Sequence, residues 1–494
     1  MKTTIVCGLL LLLTSPAILS AETAPARRTI VVNSSEDASK AIAAASPGEV
    51  ILLSGETHQD FRLTIKGKGT LAHPITFRAK TAGKTRLTGD SRIEISGEHI
   101  IVEGFVFDQA WSENVVTFKG ATHCQLTNCA FFDCGDPKHT YQKIITIGHK
   151  SSHNRIDHCY MQGNLSIGVS VRIAPDDYQN THNRFDHNYF KDIERQSGNG
   201  QEAVQIGQGG FSDRTSQFTL LEHCLFDKVS GDSEIISNKS SDNIYRFNTF
   251  RNCEGMLTLR GGNRTRVEGN FFFNGLGGIR IHGSEHIIVN NYIEACRGRG
   301  IYMPAGSRHY APVNYCVVAH NTIINCGQGI HVGRLNSGST DWELQVAFND
   351  FLKNLIVINR DVGIGIQDNG SQVSTWRGNI VWTSGGAKPG LKAKGISWID
   401  PLLVKKNDVF RLSGPDSPAV NVASVNFRDV NAEVPGTKKD FDGQARNPLP
   451  DVGCDEWSET PIQRVPLRPE EVGPTWMLGD PSSVTRLATK NTKK

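Results

Sequence analysis

The sequence feature that most restricts the fold is a repeat whose period varies, from 21 residues between Asn270 and Asn291 to 36 between Asn188 and Cys224. Each repeat is marked by a small or polar residue, most often asparagine. An apolar or aromatic residue stands three positions before each marker and another two positions after it, at all 22 flanking positions. The eleven markers are Gly104, Cys129, Cys159, Asn188, Cys224, Asn248, Asn270, Asn291, Asn321, Asn349 and Asn379.

This pattern predicts an all-β, single-domain fold, a right-handed parallel β-helix (solenoid). Each coil would consist of short strands joined by turns, and neighbouring coils would stack about 4.8 Å apart. Inward side chains at the same register would form apolar ladders, and asparagine suits the corners because it tolerates left-handed backbone. The 49 glycines fit a chain with many tight turns. Variation in the period then places insertions in turns, which could build a binding groove.

The two ends of the chain suggest how the solenoid is bounded. The segment "SSEDASKAIAAAS", residues 34–46, predicts a short capping helix over the first coil. From about residue 400 the pattern becomes irregular and then rich in proline. We therefore predict a signal peptide at 1–21, a β-helix domain at 22–460 that includes the cap, and a C-terminal extension at 461–494.

The first 21 residues have the features of an export signal. Lys2 provides positive charge, "IVCGLLLLL" is an apolar run too short to span a membrane, and "SPAILSA" offers a cleavage site after Ala21. No later segment predicts a membrane span, so we expect a periplasmic or secreted protein. The net charge of +3 gives no basic tail for nucleic acid. The oligomeric state is left open.

The cysteines that remain after cleavage show no CxxC pair and no zinc-binding spacing. Cys129, Cys159 and Cys224 occupy repeat corners, which predicts that they pack as small buried residues. The alternatives are a metal-binding role or a disulfide, which an oxidising compartment permits.

One cluster of charged residues stands out from the repeat. Lys239, Arg260 and Arg280 each lie nine to eleven residues before a corner, so we expect them at nearly one register on three successive coils. Asp232 and Glu234, two apart, come just before the lysine. Neighbouring carboxylates repel unless a cation lies between them, and oxygen ligands favour calcium. A solvated charged surface is the alternative interpretation.

Three segments, "NGQEAVQIG", "SEIISNKSSDNIYRFNTFRNCEGMLTLRGGN" and "DVGCDEW", resemble the family six polysaccharide lyases, the alginate lyase and chondroitinase B group. The resemblance extends through nearly the whole mature chain, and the NKSS and TLRGGN segments are its most specific parts. It implies a right-handed parallel β-helix that cleaves uronate-containing polysaccharides by β-elimination, generally with calcium.

The resemblance also implies roles for individual residues. Lys239 matches the catalytic base and Arg260 the catalytic acid, while Asn199 and Glu234 match calcium ligands. Asp232 stands where glutamate is usual, so it keeps the charge of a third ligand on a shorter side chain.

Two further residues near the implied site have less certain roles. Gln205 stands where arginine is usual, so this chain lacks one cation there. Glu202 is either an extra calcium ligand or a nearby acid.

The implied chemistry suits these residue types. Removal of the C5 proton of a uronate builds negative charge on its carboxylate, which calcium can neutralise. Nearby positive charge would disfavour the charged form of Lys239 and so make it a usable base. Arg260 would stabilise the departing oxygen, but arginine hardly deprotonates, so water could deliver the proton.

The segment "GGIRIHG" bears on the substrate. Arg280 and His282 lie in it, and alginate-acting relatives commonly have arginine where the chondroitinase has an apolar residue. An arginine can pair with a uronate carboxylate, and alginate has one on every sugar. Tyr302, His331 and Arg334 on later coils could extend the groove, with core or surface roles as the alternative.

Three rival functions remain open. A chondroitin or dermatan sulfate lyase would use the same residues. A β-helical glycoside hydrolase would need Asp232 and Glu234 as its catalytic carboxylates and would leave Lys239 without a role. A polysaccharide-binding β-helix would need no catalytic residue. An anionic polysaccharide is the expected partner in each case.

Overall fold

The computed structural model describes residues 28–136, 142–165, 170–174, 180–196, 199–208, 215–306, 310–333, 346–369, 373–422 and 434–477. Within them the chain winds through three long sheets of parallel strands, so the predicted parallel β-helix is confirmed. The expected signal peptide and residues 478–494 of the expected extension lie outside the described residues.

Each complete coil contributes one strand to each sheet. The first sheet contains Thr29–Val32, Val50–Leu53, Ile75–Ala79, Ile100–Glu103, Gln125–Thr127, Arg155–Asp157, Arg184–Asp186, Leu220–Glu222, Ile244–Arg246, Arg266–Glu268, Ile287–Val289, Val317–Ala319, Asp350–Leu352 and Thr375–Arg377. The second contains Arg62–Lys68, Arg92–Glu98, Asn114–Lys119, Lys143–Gly148, Val171–Ile173, Val204–Ile206, Glu234–Lys239, Met256–Gly261, Ile279–Ile281, Arg299–Met303, Gln328–Gly333, Ile364–Asn369 and Lys388–Gly390. The third contains Thr57–Gln59, Arg86–Gly89, Val106–Ala110, Ala130–Cys134, Tyr160–Asn164, Tyr189–Ile193, Leu225–Val229, Thr249–Arg251, Phe271–Phe273, Tyr292–Glu294, Thr322–Ile324, Leu355–Arg360, Asn379–Gly385 and Ile396–Ser397.

The apolar position two residues after each corner forms the predicted ladder inside the solenoid. Phe190, Phe226, Phe250 and Phe272 stack one above the next, with ring centroids 4.7, 4.7 and 4.5 Å apart. All four are almost completely buried. Such stacking of large side chains on successive coils supplies much of the apolar burial that stabilises the fold.

The corners carry a second ladder, made of asparagine side chains. The Nδ2 of Asn248 donates to the Oδ1 of Asn270, and the Nδ2 of Asn270 donates to the Oδ1 of Asn291, both at 2.9 Å. The same Oδ1 atoms also accept the backbone N–H of the preceding corner. Each buried amide therefore satisfies polar groups on both neighbouring coils, as buried polar groups require.

Two of the predicted corners are wrong. The ladder passes from Asn321 to Asn354, whose Oδ1 accepts the Asn321 Nδ2 at 3.0 Å, and not to Asn349. Asn349 belongs to a separate corner, where its Oδ1 accepts the amide of Cys316. The sequence pattern is ambiguous at this corner, because Phe351 lies two residues after Asn349 and also three residues before Asn354.

The first corner is displaced by one residue. The amide of Ala130 donates to the carbonyl of Phe105, just as the amide of Tyr160 donates to that of Cys129. Phe105 is therefore the equivalent of Cys129, and Gly104 precedes it. An aromatic residue fits this corner because it stacks on Phe77 with ring centroids 5.0 Å apart.

The predicted capping helix is confirmed over Ser35–Ala43. Ser34 is its N-cap, and the Ser34 side chain accepts a hydrogen bond from the amide of Asp37 at 3.1 Å. Ala38 and Ile42 are buried, so one face of the helix covers the first coil.

The C-terminal part does more than extend the solenoid. An antiparallel pair, Leu403–Lys406 and Val409–Leu412, ends the coils. Residues 434–477, here called the return strap, then run back along the outer face of the third sheet. The strap includes two short 3-10 helices, Pro469–Glu471 and Thr475–Met477.

Hydrogen bonds trace the path of the return strap. The amide of Cys454 donates to Thr322, that of Leu467 to Thr249, and the indole N–H of Trp476 to the carbonyl of Asn128 at 2.8 Å. Val472 and Met477 pack in one cluster with outward apolar residues of the third sheet. The strap therefore links late coils to early ones.

The corner cysteines Cys129, Cys159 and Cys224 are fully buried, and each thiol contacts a backbone carbonyl. This agrees with the predicted packing role. In the described part of the chain no helix is both long enough and apolar enough to cross a membrane.

Candidate active site

The candidate residues lie on the outer face of the second sheet. Strand pairing places one row of side chains in register along this face, because parallel strands bring equivalent positions together. Arg280 pairs with Tyr302, and Tyr302 with His331. Towards the N-terminus the row continues through Thr258, Ser237, Gln205 and Arg172.

The expectation that three basic residues share nearly one register needs correction. Arg280 lies opposite Thr258, two residues before Arg260. Lys239 and Arg260 lie where the pairing is irregular, because Asn238 is opposite Leu259 while Lys239 is opposite Gly261. Such a bulge alters the direction of a side chain. The three basic residues still occupy neighbouring positions on one face.

Lys239 is buried beside an acid. Its Nζ lies 3.7 Å from the Oε1 of Glu202, and the two residues are 7% and 4% exposed. Burial lowers the pKa of Lys239, the charge of Glu202 opposes that shift, and the charge of Arg260 adds to it. Burial likewise raises the pKa of Glu202, against the charge of Lys239. Both groups are thus displaced towards their neutral forms.

Asp232 is fixed by backbone amides. The N–H of Gly200 donates to its Oδ2 at 2.8 Å, and the N–H of Glu234 donates to its Oδ1 at 3.1 Å. Asn199 directly precedes Gly200 and is exposed. The structure therefore brings together the segments that carry Asn199, Asp232 and Glu234.

Glu234 lies between two guanidinium groups. Its Oε2 is 3.8 Å from Nη1 of Arg260, and its Oε1 is 3.9 Å from Nη1 of Arg280. The hydroxyl of Ser237 also donates to Glu234. The carboxylate is 5% exposed and orients both arginines on the outer face.

Sequence reasoning missed Tyr310, which contacts three of the candidate residues. The centre of its ring lies 5.5 Å from Cζ of Arg260 and 5.4 Å from Cζ of Arg280. The ring also stacks on His282, with centroids 4.6 Å apart. Tyr310 lies on a long connection between strands, outside the repeat, so no pattern pointed to it.

The position of His282 affects its expected role. The residue is 0% exposed, and Tyr310 covers one face of its ring. Burial, assisted by the charge of Arg280, lowers the pKa of His282 to about 3. A neutral His282 therefore packs against the ring of Tyr310 and does not face solvent.

The later coils add a second cluster. Arg299, which sequence reasoning also missed, places its Cζ 4.6 Å from the ring centre of Tyr302 and donates from Nε to Nδ1 of His331 at 2.8 Å. Sequence analysis could have found Arg299 because it begins the strand that contains Tyr302. Arg334 lies outside the described residues.

A compact group of three acidic ligand atoms also exists elsewhere. Among the described residues, Asp440, Asp442 and Asp455 place one carboxylate oxygen each within 4.8 Å of one another, and all three are buried. They lie in the return strap, whereas within the described part of the chain Asp232 and Glu234 form no such group with another acid.

The sequence model of the chondroitinase B family matches residues 32–346, more than half of the chain. No curated protein matches the chain significantly by sequence.

Solved structures give a consistent picture. The PL6 family alginate lyase AlyGC is 27% identical, with a TM-score of 0.73 over 90% of this chain, and a mutant of it is 28% identical, with a TM-score of 0.76 over 91%. This chain spans only 60% and 58% of those two chains. The PL6 family polysaccharide lyase Pedsa3628 from Pseudopedobacter saltans shares the fold at 22% identity, with a TM-score of 0.65 over 90% of this chain and 99% of its own. The expected family is thereby confirmed, and this chain belongs to the chondroitinase B family.

Proposed function

We propose that the protein is an exported polysaccharide lyase that cleaves alginate by calcium-assisted β-elimination, with Lys239 as the base. The observation that carries the proposal is the buried Lys239, 3.7 Å from Glu202, on the same face as Arg260 and Arg280. A buried lysine in a chain of this family, beside two oriented guanidiniums, has the chemistry that β-elimination requires.

Lys239 removes the C5 proton of the uronate in this scheme. A base must spend part of the time unprotonated, and burial lowers the pKa of Lys239 in that direction. Glu202 opposes the shift and limits it. The result is an amine that loses its proton more readily than an exposed lysine and that stays close to an acid able to stabilise the ammonium form.

Arg260 and Arg280 supply fixed positive charge. Burial works to lower the pKa of Arg260, but Glu234, Tyr310 and Glu202 together raise it, so the guanidinium stays charged. Preorganised cations aimed at developing negative charge stabilise a transition state strongly in a site with little water. Glu234 orients both arginines, which can then interact with the substrate carboxylate and the departing oxygen.

The residues present fit a calcium ion. The expected ligands Asn199, Asp232 and Glu234 offer only oxygen atoms, which hard cations prefer. An oxygen donor is also left over here, since Glu202 Oε2 is buried and accepts no hydrogen bond within the described residues. A bound calcium ion supplies positive charge against the carboxylate of the uronate.

Alginate is the proposed substrate because cationic and aromatic side chains follow one another along the row that contains Arg280. Arg280 is followed on the next coils by Tyr302 and His331, with Arg299 beside them. Repeated cationic and aromatic groups suit a chain with a carboxylate on every sugar. A chondroitin or dermatan sulfate lyase is the second candidate, because the matching family model describes chondroitinase B.

One experiment separates these functions and their non-lyase rivals. The purified protein is incubated with alginate, chondroitin sulfate or dermatan sulfate, and both ultraviolet absorbance and reducing ends are followed. We expect alginate alone to give the absorbing unsaturated ends of a lyase. Reducing ends without absorbance would indicate a hydrolase, binding without either signal would indicate a binding protein, and each would overturn the proposal.

The proposal includes export through the signal peptide at 1–21. Expression with the native N-terminus, followed by mass spectrometry of the exported protein, should give a chain that begins at Glu22. An uncleaved chain retained in the cytoplasm would contradict this part.

A further inference from the structure

Four histidines that the proposed reaction does not use stack on the outside of the solenoid, at the corner between the second and first sheets. They are His99, His123, His153 and His182, one from each of four successive coils, and together they form what we call the outer histidine ladder. Their ring centroids are 5.0, 4.9 and 4.8 Å apart along the series. All four have left-handed backbone, with φ between 51° and 58°, so one corner geometry repeats on every coil.

Three members of the ladder have ring nitrogens that can bind a ligand. His123, His153 and His182 are exposed, and within the described part of the chain their ring nitrogens make no hydrogen bond or ion pair. His99 differs, because it is half-buried and its Nε2 lies 3.8 Å from Oε1 of Glu98. Partial burial, assisted by the neighbouring His182 and His123, lowers the pKa of His153, which favours the neutral imidazole that metal ions bind.

We propose that the outer histidine ladder binds a divalent transition-metal ion, such as copper(II) or zinc, between His153 and a neighbouring ring. Imidazole nitrogen is a ligand that these ions favour. Metal–nitrogen bonds of about 2.0–2.1 Å allow two nitrogens to share one ion when they are no more than about 4.2 Å apart. The rings of His123 and His153 are inclined by 27°, so one edge of this exposed pair is closer than the 4.9 Å between the ring centres.

A second stack of histidines provides the contrast. His158 and His187 lie at the corner between the first and third sheets, with ring centroids 5.0 Å apart and ring planes within 1° of parallel. The Nδ1 of His158 is 2.8 Å from Oδ2 of Asp157, and that of His187 is 2.9 Å from Oδ2 of Asp186. These contacts hold the rings parallel and too far apart for two nitrogens to share one ion. The second stack should therefore bind metal more weakly.

A metal ion held between two rings of the ladder would join side chains on adjacent coils. Such an ion binds the folded chain in preference, because only the fold brings these distant histidines together. Preferential binding to the folded state raises the free energy of unfolding. Metal binding should therefore be visible both as an affinity and as a shift in thermal unfolding.

The test titrates Cu²⁺ into the full chain without a polyhistidine tag, in excess calcium so that the proposed calcium ligands are occupied. Calorimetry gives the affinity, and electron paramagnetic resonance detects nitrogen atoms bound to the copper. The main variant is His153→Asn, because asparagine tolerates left-handed backbone. His187→Asn in the second stack is the matched control, and His99→Asn removes the ladder member that Glu98 already contacts.

We expect His153→Asn to weaken copper binding by at least about 10-fold, because it removes the ring that both neighbours share. The nitrogen couplings in the resonance spectrum should decrease with it. His187→Asn and His99→Asn should bind copper within about 3-fold of the wild type. Copper should also raise the Tm of the wild type more than that of His153→Asn.

Three results would overturn the inference. They are a wild type that binds no copper, a His153→Asn variant that binds copper as the wild type does, and an equal loss in His187→Asn. If His153→Asn does not fold, the double variant His123→Asn/His182→Asn removes both neighbours of His153 and should show the same loss. Because copper binding needs no turnover, a chain that binds copper but yields no unsaturated ends would contradict the proposed function and leave this inference standing.

Discussion

Lys239 and Glu202 face each other across neighbouring coils, with Nζ of the lysine 3.7 Å from Oε1 of the glutamate and both residues buried. Their coils are neighbours because the strands Val204–Ile206 and Glu234–Lys239 pair in parallel, with Glu202 just before the first strand and Lys239 at the end of the second. Burial lowers the pKa of the lysine and raises that of the acid. The fold itself therefore prepares an amine that loses its proton more readily than one on the surface.

Replacement of this amine should abolish turnover. We expect Lys239→Ala to lower kcat on alginate by at least about 10²–10⁴-fold, measured from the absorbance of unsaturated ends. The variant should also unfold more easily, by up to about 3–5 kcal/mol, because Glu202 loses its buried partner. Lys119→Ala, at a half-exposed lysine on the same sheet, is the control and should be nearly silent. An active Lys239→Ala would exclude the mechanism.

Removal of divalent cations should depress activity. A chelator should reduce the rate, and added calcium should restore it, because Asp232 and Glu234 offer oxygen ligands beside the proposed base. Asp232→Asn should raise the calcium concentration required for half-maximal activity, whereas Asp416→Asn, at an exposed aspartate far along the chain, should not. A rate that is unchanged by the chelator would contradict a role for calcium in the reaction.

The return strap should contribute to stability through Trp476. The indole N–H bonds to Asn128, and the ring packs against Gly83. Trp476→Ala should therefore lower the free energy of unfolding by about 2 kcal/mol, less than for a fully buried aromatic residue. Chemical denaturation measures this value. Trp398→Ala, at an exposed tryptophan, is the control, and equal effects of the two would show that the strap contact adds nothing.

Stability should fall as pH rises through the neutral range. Burial raises the pKa of Asp442 to about 8 and that of Asp455 to about 7, both above the usual aspartate value. Between about pH 4 and those values the folded state holds protons that the unfolded state has lost, so the free energy of unfolding decreases with pH. Asp442→Asn should flatten this slope, measured by denaturation at pH 5 and pH 8. A slope unchanged in the variant would exclude Asp442 as its source.

The sequence predicted the solenoid well because stacking imposes a local rule on every coil. The apolar positions around each corner must face inward, so they are visible without coordinates. The exact corner was less certain where one residue satisfied two alignments, as Phe351 does for Asn349 and Asn354. Gly104 fits the pattern of small or polar corner residues, whereas the actual corner residue is Phe105, an aromatic side chain that stacks on Phe77.

The site was only partly predictable for a physical reason. Lys239 and Arg280 lie on strands, and their shared face followed from the repeat. The bulge at Arg260 and the approach of Tyr310 depend on irregular backbone, which has no period to detect. Arg299 was overlooked because its contact with His331 is made on the next coil, which the segment around Arg299 does not reveal.

The return strap also affects how the chain can fold. Trp476 bonds to Asn128 across 348 positions of sequence, so the early coils gain their outer cover only after almost the whole chain has been made. An ordinary solenoid can fray from either end, since each coil contacts only its neighbours. Here the carboxyl end ties distant coils together, so the two ends should melt in one cooperative transition.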